Sequence, residues 1–170
     1  MACKLKKMKK SIFSGLVLFA IGFSACAVAK KPAGNDNTIT AIEISHGACF
    51  GKCPVHTIKI YNTGLVRYTG QTFVEFKGVY EKKLNKAKMQ KILKEAEEDR
   101  IDTCKAEYMY VPDMPGIDYI ITYKNRTQKI HNAHKGPAFL RELSDEIAAE
   151  VKVDKSWKKV AANSTKPRNP

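Results

Sequence analysis

From Ile39 onward apolar and polar residues alternate with the period of a β-strand. In "ITAIEIS" Ile42, Ile44 and His46 share one parity. In "VHTIKIY" His56, Ile58 and Ile60 face one way, and Val55, Thr57, Lys59 and Tyr61 the other. Asn62-Thr63-Gly64 then supplies a three-residue hairpin loop with Gly64 where a positive φ is needed. "LVRYTG" returns as a third strand and "TFVEFKGVY" reads as a fourth, in which Gly78 marks a bulge or a close backbone approach. Near Leu84 the period changes from 2 to 3.6. Met89, Ile92, Leu93 and Ala96 fall at i, i+3, i+4 and i+7, which predicts an amphipathic helix capped by Asn85. Its charges oppose the helix dipole, with Lys86, Lys88 and Lys91 early and Glu97, Glu98 and Asp99 late, so packing of the stripe has to hold it.

"YMYVPDMPG", with two prolines, is a loop. "IDYIITY" and "RTQKIHN" read as two more strands about a tight turn at Lys124-Asn125. A second helix follows in "KGPAFLRELSDEIAAEV", with Pro137 near its first position and Leu140, Leu143, Ile147 and Val151 as its stripe. The order is β-β-β-β-α-β-β-α. Short connections make the sheet mainly antiparallel, and two helices cover one face, which is an α+β domain over 39–153. "KKPAGNDNT", residues 30–38, reads as a linker. Residues 154–170, aperiodic apart from Trp157, read as a flexible basic tail.

The N-terminus changes the meaning of the charge. Five lysines precede an uncharged run from Ser11 to Ala29, so residues 1–29 read as a signal peptide. Without it the formal charge of +13 falls to +8. "FSAC" resembles a lipobox ending in Cys26, the candidate for lipidation, while Ala27-Val28-Ala29 offers an ordinary cleavage site. An uncleaved anchor is the third route, because the run approaches the roughly 18–20 residues that cross a bilayer. All three routes place the chain in the cell envelope, lipid-anchored to a membrane or periplasmic and secreted. The expected partners are then the membrane, through a lipid on Cys26, and an envelope protein or surface component. Nucleic acid is not expected despite the basic balance, which reads as solubility or attraction to anionic surfaces.

Cys3 leaves with the signal, so Cys49, Cys53 and Cys104 remain in the domain, an odd number in an oxidising compartment. "SHGACFGKCPVH" carries the chemistry. Gly51 permits a sharp turn and Pro54 fixes φ as the strand begins, so Cys49 and Cys53 fit a disulfide or buried structural pair, unless one of them reaches Cys104. The alternative is a metal site. His46-x2-Cys49-x3-Cys53-x2-His56 offers two soft and two borderline ligands suited to zinc or copper. A thiol-disulfide role ranks third, because the spacing is C-x3-C and a strand follows where a helix dipole would activate the thiol. His131 and His134 form a second H-x2-H pair. No nucleophile elbow, phosphate loop or H-E-x-x-H is present, so no catalytic residue or cofactor is assigned and the pattern leans away from an enzyme. A binding or structural role is the leading expectation.

"CFGKCPVHTIKIYNTGLVRYTG" resembles the signature of an uncharacterised family of exported bacterial proteins and lipoproteins, C-[FY]-G-x-C-P followed by a strand, a glycine turn and a returning strand. "DMPGIDYIITY" and "GPAFLRELSDEI" resemble that family's downstream strand and last helix. The resemblance covers about Ile39 to Val151. It implies that Cys49, Gly51, Cys53, Pro54, Gly64 and Gly70 are the family's positions, and that His56 stands where an aromatic residue is usual. It implies fold and location, and no activity.

Overall fold

The alternating segments pair into one antiparallel sheet. A computed structural model describes residues 37–162; the expected signal peptide, Cys26, residues 30–36 of the linker and residues 163–170 of the tail lie outside them. The strands are β1 (Ile39–His46), β2 (Val55–Tyr61), β3 (Leu65–Thr72), β4 (Gly78–Lys83), β5 (Ile117–Tyr123), β6 (Thr127–Ile130) and β7 (Lys158–Val160). They lie in the order β6-β5-β1-β2-β3-β4-β7. Helices α1 (Lys86–Glu98) and α2 (Ala138–Glu150) cover one face.

The sheet's two faces follow the sequence parity. On the helix side, a row of directly opposed residues crosses six strands: Ile130, Tyr119, Ile44, Ile58, Tyr68 and Tyr80. Ile130, Tyr119, Ile44, Ile58 and Tyr68 are buried, and the predicted stripes Met89, Ile92, Leu93, Ala96 and Leu140, Leu143, Ile147, Val151 pack down among them. On the open side the opposed pairs are polar. Lys59 meets Glu43 at 3.0 Å and Arg67 meets Glu81 at 2.5 Å, while Ser45 and Thr57 hydroxyls lie 3.0 Å apart. Each such half-exposed pair contributes at most about 1 kcal/mol, so the helix-side burial dominates.

Each helix is tied to the sheet at definite points. The Asn85 side chain accepts from Lys88 N at 3.1 Å, which caps α1 as expected. Glu97, in the last turn, accepts from the Ile39 backbone N–H at 2.5 Å. Near the start of α2 the buried Tyr119 hydroxyl donates to the Leu140 carbonyl. Lys88 and Glu150 meet at 2.6 Å, pairing the first turn of α1 with the end of α2. The Asn62-Thr63-Gly64 hairpin forms as read, with Gly64 at φ +85°.

Two expectations are corrected. The fourth strand does not run through "TFVEFKGVY". β3 ends at Thr72, Phe73 turns to φ 55°, and β4 begins only at Gly78. The reason is a close backbone approach at Gly70 rather than at Gly78. The 73–77 loop folds back so far that a Cβ on Gly70 would stand 2.0 Å from the Phe76 carbonyl oxygen. Nor does the fold stop at 153 with a flexible tail. Trp157 is 5% exposed and its indole N–H donates to the Lys152 carbonyl at 3.1 Å. Lys158–Val160 then pair with β4 at the sheet edge. Three residues are too few to display a period, so β7 left no pattern.

Two substitutions test this architecture by chemical denaturation. Gly70→Ala forces a backbone clash and lowers stability by about 3 kcal/mol. Trp157→Ala empties a packed site and lowers it by about 3–5 kcal/mol, whereas a residue in a flexible tail would cost nothing measurable.

Candidate functional site

Antiparallel pairing gathers three connections at one end of the sheet. β1 ends there at His46, opposite His56 on one side and Ile117 on the other. β3 ends there too, with Val55 opposite Thr72 and Gly70 opposite Gly78. The β1–β2 loop 47–54, the β3–β4 loop 73–77 and the segment 105–116 that leads into β5 therefore share one rim. The Gly47 N–H donates to the Gly116 carbonyl at 2.9 Å, which fastens two of them together.

The β1–β2 loop is closed by a disulfide between Cys49 and Cys53, whose Cα atoms are 5.6 Å apart. This is the pairing that the Gly51 turn makes possible. Phe50, enclosed in that small ring, is 92% exposed. Cys104 stays buried in the core and takes no part in the disulfide.

Below the loop the two histidines meet. The His46 and His56 rings stack with centroids 4.7 Å apart and planes 12° from parallel, and His56 stacks in turn on Tyr68 at 5.7 Å. Ser144 on α2 lies 3.2 Å from His46 Nε2. His56 Nδ1 is buried without a partner of hydrogen-bonding geometry. Burial is the main cause that lowers both imidazole pKa values. His46 is lowered further by the charge of His56 and raised in part by Asp145, while the Pro54 backbone partly offsets the shift of His56. Burial thus favours the neutral form of both rings.

A groove of about 360 Å³ opens beside His56, between the sheet end, the β3–β4 loop and the chain after α2. Its walls include Pro54, Tyr68, Phe73, Phe76 and Val151. Its origin is visible in the register. The row next to the buried one runs Ile117, His46, His56, Gly70, Gly78, so side chains cease where the groove begins.

This arrangement alters the chemistry expected of the four-residue set. The structure brings His46 and His56 together and bonds Cys49 to Cys53, so the two sulfurs have no thiolate to offer zinc or copper. Among the described residues no group of three or more His, Cys, Asp or Glu side chains converges as a metal site. Where the sequence offered His46, Cys49, Cys53 and His56 as one ligand set, the structure shows Cys49 bonded to Cys53 and His46 stacked on His56. The other histidines do not form a ligand pair. His131 Nδ1 lies 3.3 Å from Asp118 at the surface, whereas His134 is buried with neither ring nitrogen hydrogen-bonded. β2 begins two residues after Cys53, so no helix N-terminus activates either sulfur. The sequence reading missed the groove itself, since Phe73 and Phe76 were assigned to a strand.

Two measurements follow. A lowered folded-state pKa means the unfolded chain binds more protons at acid pH. The contribution of His46 and His56 is therefore complete above pH 6.5 and is lost as pH falls from there towards their lowered values, with His134 adding in the same sense. Urea midpoints fall between about pH 7 and pH 5, and His46→Gln/His56→Gln flattens that dependence. Cys49→Ser/Cys53→Ser lowers stability by about 2 kcal/mol, as expected for so short a ring.

The family described as Domain of unknown function (DUF6438) matches residues 40–151, a span that includes the disulfide loop, both helices and the first six strands. No curated protein matches the chain.

Proposed function

The chain belongs to the DUF6438 family of domains of unknown function, and for this member we propose a non-enzymatic binding domain of the cell envelope, exported and held to a membrane by a lipid on Cys26. The observation that carries the reading is polarity. The chain enters the fold at Asn37, at the start of β1, and the rim with Phe50 and the groove lies at the far end of the same strand. From Cys26 to Asn37 an extended chain reaches at most about 40 Å. An anchor at Cys26 therefore attaches at the pole opposite the rim, on a tether long enough to leave the rim accessible. Phe50, Phe73, Met109, Tyr110 and Met114 stand exposed on that rim, and large apolar side chains gathered in one place are characteristic of interaction surfaces. The groove offers an apolar group the rings of His56, Tyr68, Phe73 and Phe76, with Glu75 also on its wall.

Intact mass of the full chain recovered from the native envelope tests this. The expected species has lost residues 1–25 and carries lipid on Cys26, with Cys49 and Cys53 two protons light, and Cys26→Ser releases the protein from the membrane fraction. A cytoplasmic protein that retains residues 1–25 overturns the proposal.

A further inference from the structure

We infer that the apolar rim is self-complementary, and that Phe50 of a second copy of this chain occupies the groove in a two-fold dimer. The inference rests on the reading of this rim as the binding surface and names its partner.

The first argument is the pairing of a projection with a recess. Phe50 is 92% exposed, in company with the exposed Phe73, Met109, Tyr110 and Met114. The disulfide closes the chain on either side of Phe50, so the ring projects from a constrained loop. The groove begins at Pro54, the residue after that disulfide, so projection and recess belong to one surface. Its volume of about 360 Å³ exceeds the roughly 150 Å³ of an apolar cavity that accepts benzene, so a phenyl ring fits with room for the loop behind it. A two-fold axis between loop and groove places each Phe50 against the other copy's Tyr68, Phe73 and Phe76, and one contact is thereby made twice.

The second argument is charge. The chain is basic overall, with a formal charge of +13, and copies of a basic protein repel one another. The three rim loops are balanced: Lys52, Lys77 and Lys105 stand against Glu75, Glu107 and Asp113. Copies can therefore meet at the rim without net repulsion. The third argument is area. At about 200 Å² for a large side chain, the exposed parts of Phe50, Phe73, Met109, Tyr110 and Met114 come to roughly 650 Å² per copy. Covering all of it in both copies would bury at most roughly 1,300 Å² of these side chains, at the lower edge of the range of about 1,200–2,000 Å² that stable interfaces bury.

The test is photo-crosslinking of the full chain in its own cells, with Phe50→p-benzoylphenylalanine as the probe and the same substitution at Lys94, on the exposed side of α1, as the control. The expected product from position 50 has twice the chain mass, maps by peptide mass to residues 73–76 or 151–153, and falls at least tenfold when Phe73→Ser is added; position 94 yields none. An adduct between position 50 and a different protein overturns the dimer and leaves the binding-domain reading standing. Adducts only within one chain, or none, overturn both the dimer and the rim as a binding surface. Far-ultraviolet circular dichroism of the purified variants establishes that they are folded.

Discussion

The domain depends on one row of side chains. Ile130, Tyr119, Ile44, Ile58, Tyr68 and Tyr80 oppose one another across six strands, and both helices rest on that row and its neighbours. A strand's side chains alternate with period two, so a one-residue slip in any pairing would turn isoleucines outward and charges inward. The polar pairs on the open face enforce the same register, because Glu43 opposes Lys59 and Arg67 opposes Glu81 only when the apolar row is aligned. Helix α1, whose charges run against its dipole, is stable because this row gives its stripe a surface to cover.

The site is what remains when the row behind the core runs out of side chains. Gly70 has to be glycine, because the β3–β4 loop lies against it, and Gly78 opposite takes φ +107°. With no side chains at these two positions, the imidazole of His56 forms one wall of a groove instead of a layer of core. The stacked histidines fill the space between the sheet end and Ser144, where burial favours their neutral form. The disulfide then holds the loop above them in a turn that projects its one aromatic residue. One constraint, the approach of the backbone at Gly70, thus leads to both the groove and the histidine environment beside it.

These features are unevenly placed on the molecule. The chain enters at one end of the sheet and the exposed apolar side chains of the rim stand at the other, so the two ends of the domain differ in character. The disulfide shapes that rim by closing the loop over 49–53, and while it is intact its two sulfurs are not thiolates.

Much of this was legible in the residues themselves. Alternation over 39–46 and 55–61, the Asn-Thr-Gly turn, the Asn85 cap and the two helical stripes are local signals, and each formed where the pattern put it, because period and capping act between residues a few positions apart. Composition and spacing also offered Cys49 and Cys53 as a pair about a glycine turn, and left a bond from one of them to Cys104 open. Three things were decided only by tertiary contact. The stretch 73–77 has strand composition and yet leaves the sheet, because its backbone folds back onto Gly70, where the absence of a side chain leaves room for it. Residues 158–160 carry no pattern and yet form an edge strand, because Trp157 finds a buried site that only the assembled core provides. His46 and His56 look like ligands for the cysteines between them, but cross-strand pairing sets the two rings against each other and leaves the sulfurs to bond. In each case the deciding contact exists only once the chain has folded back on itself, and no period along the chain records it.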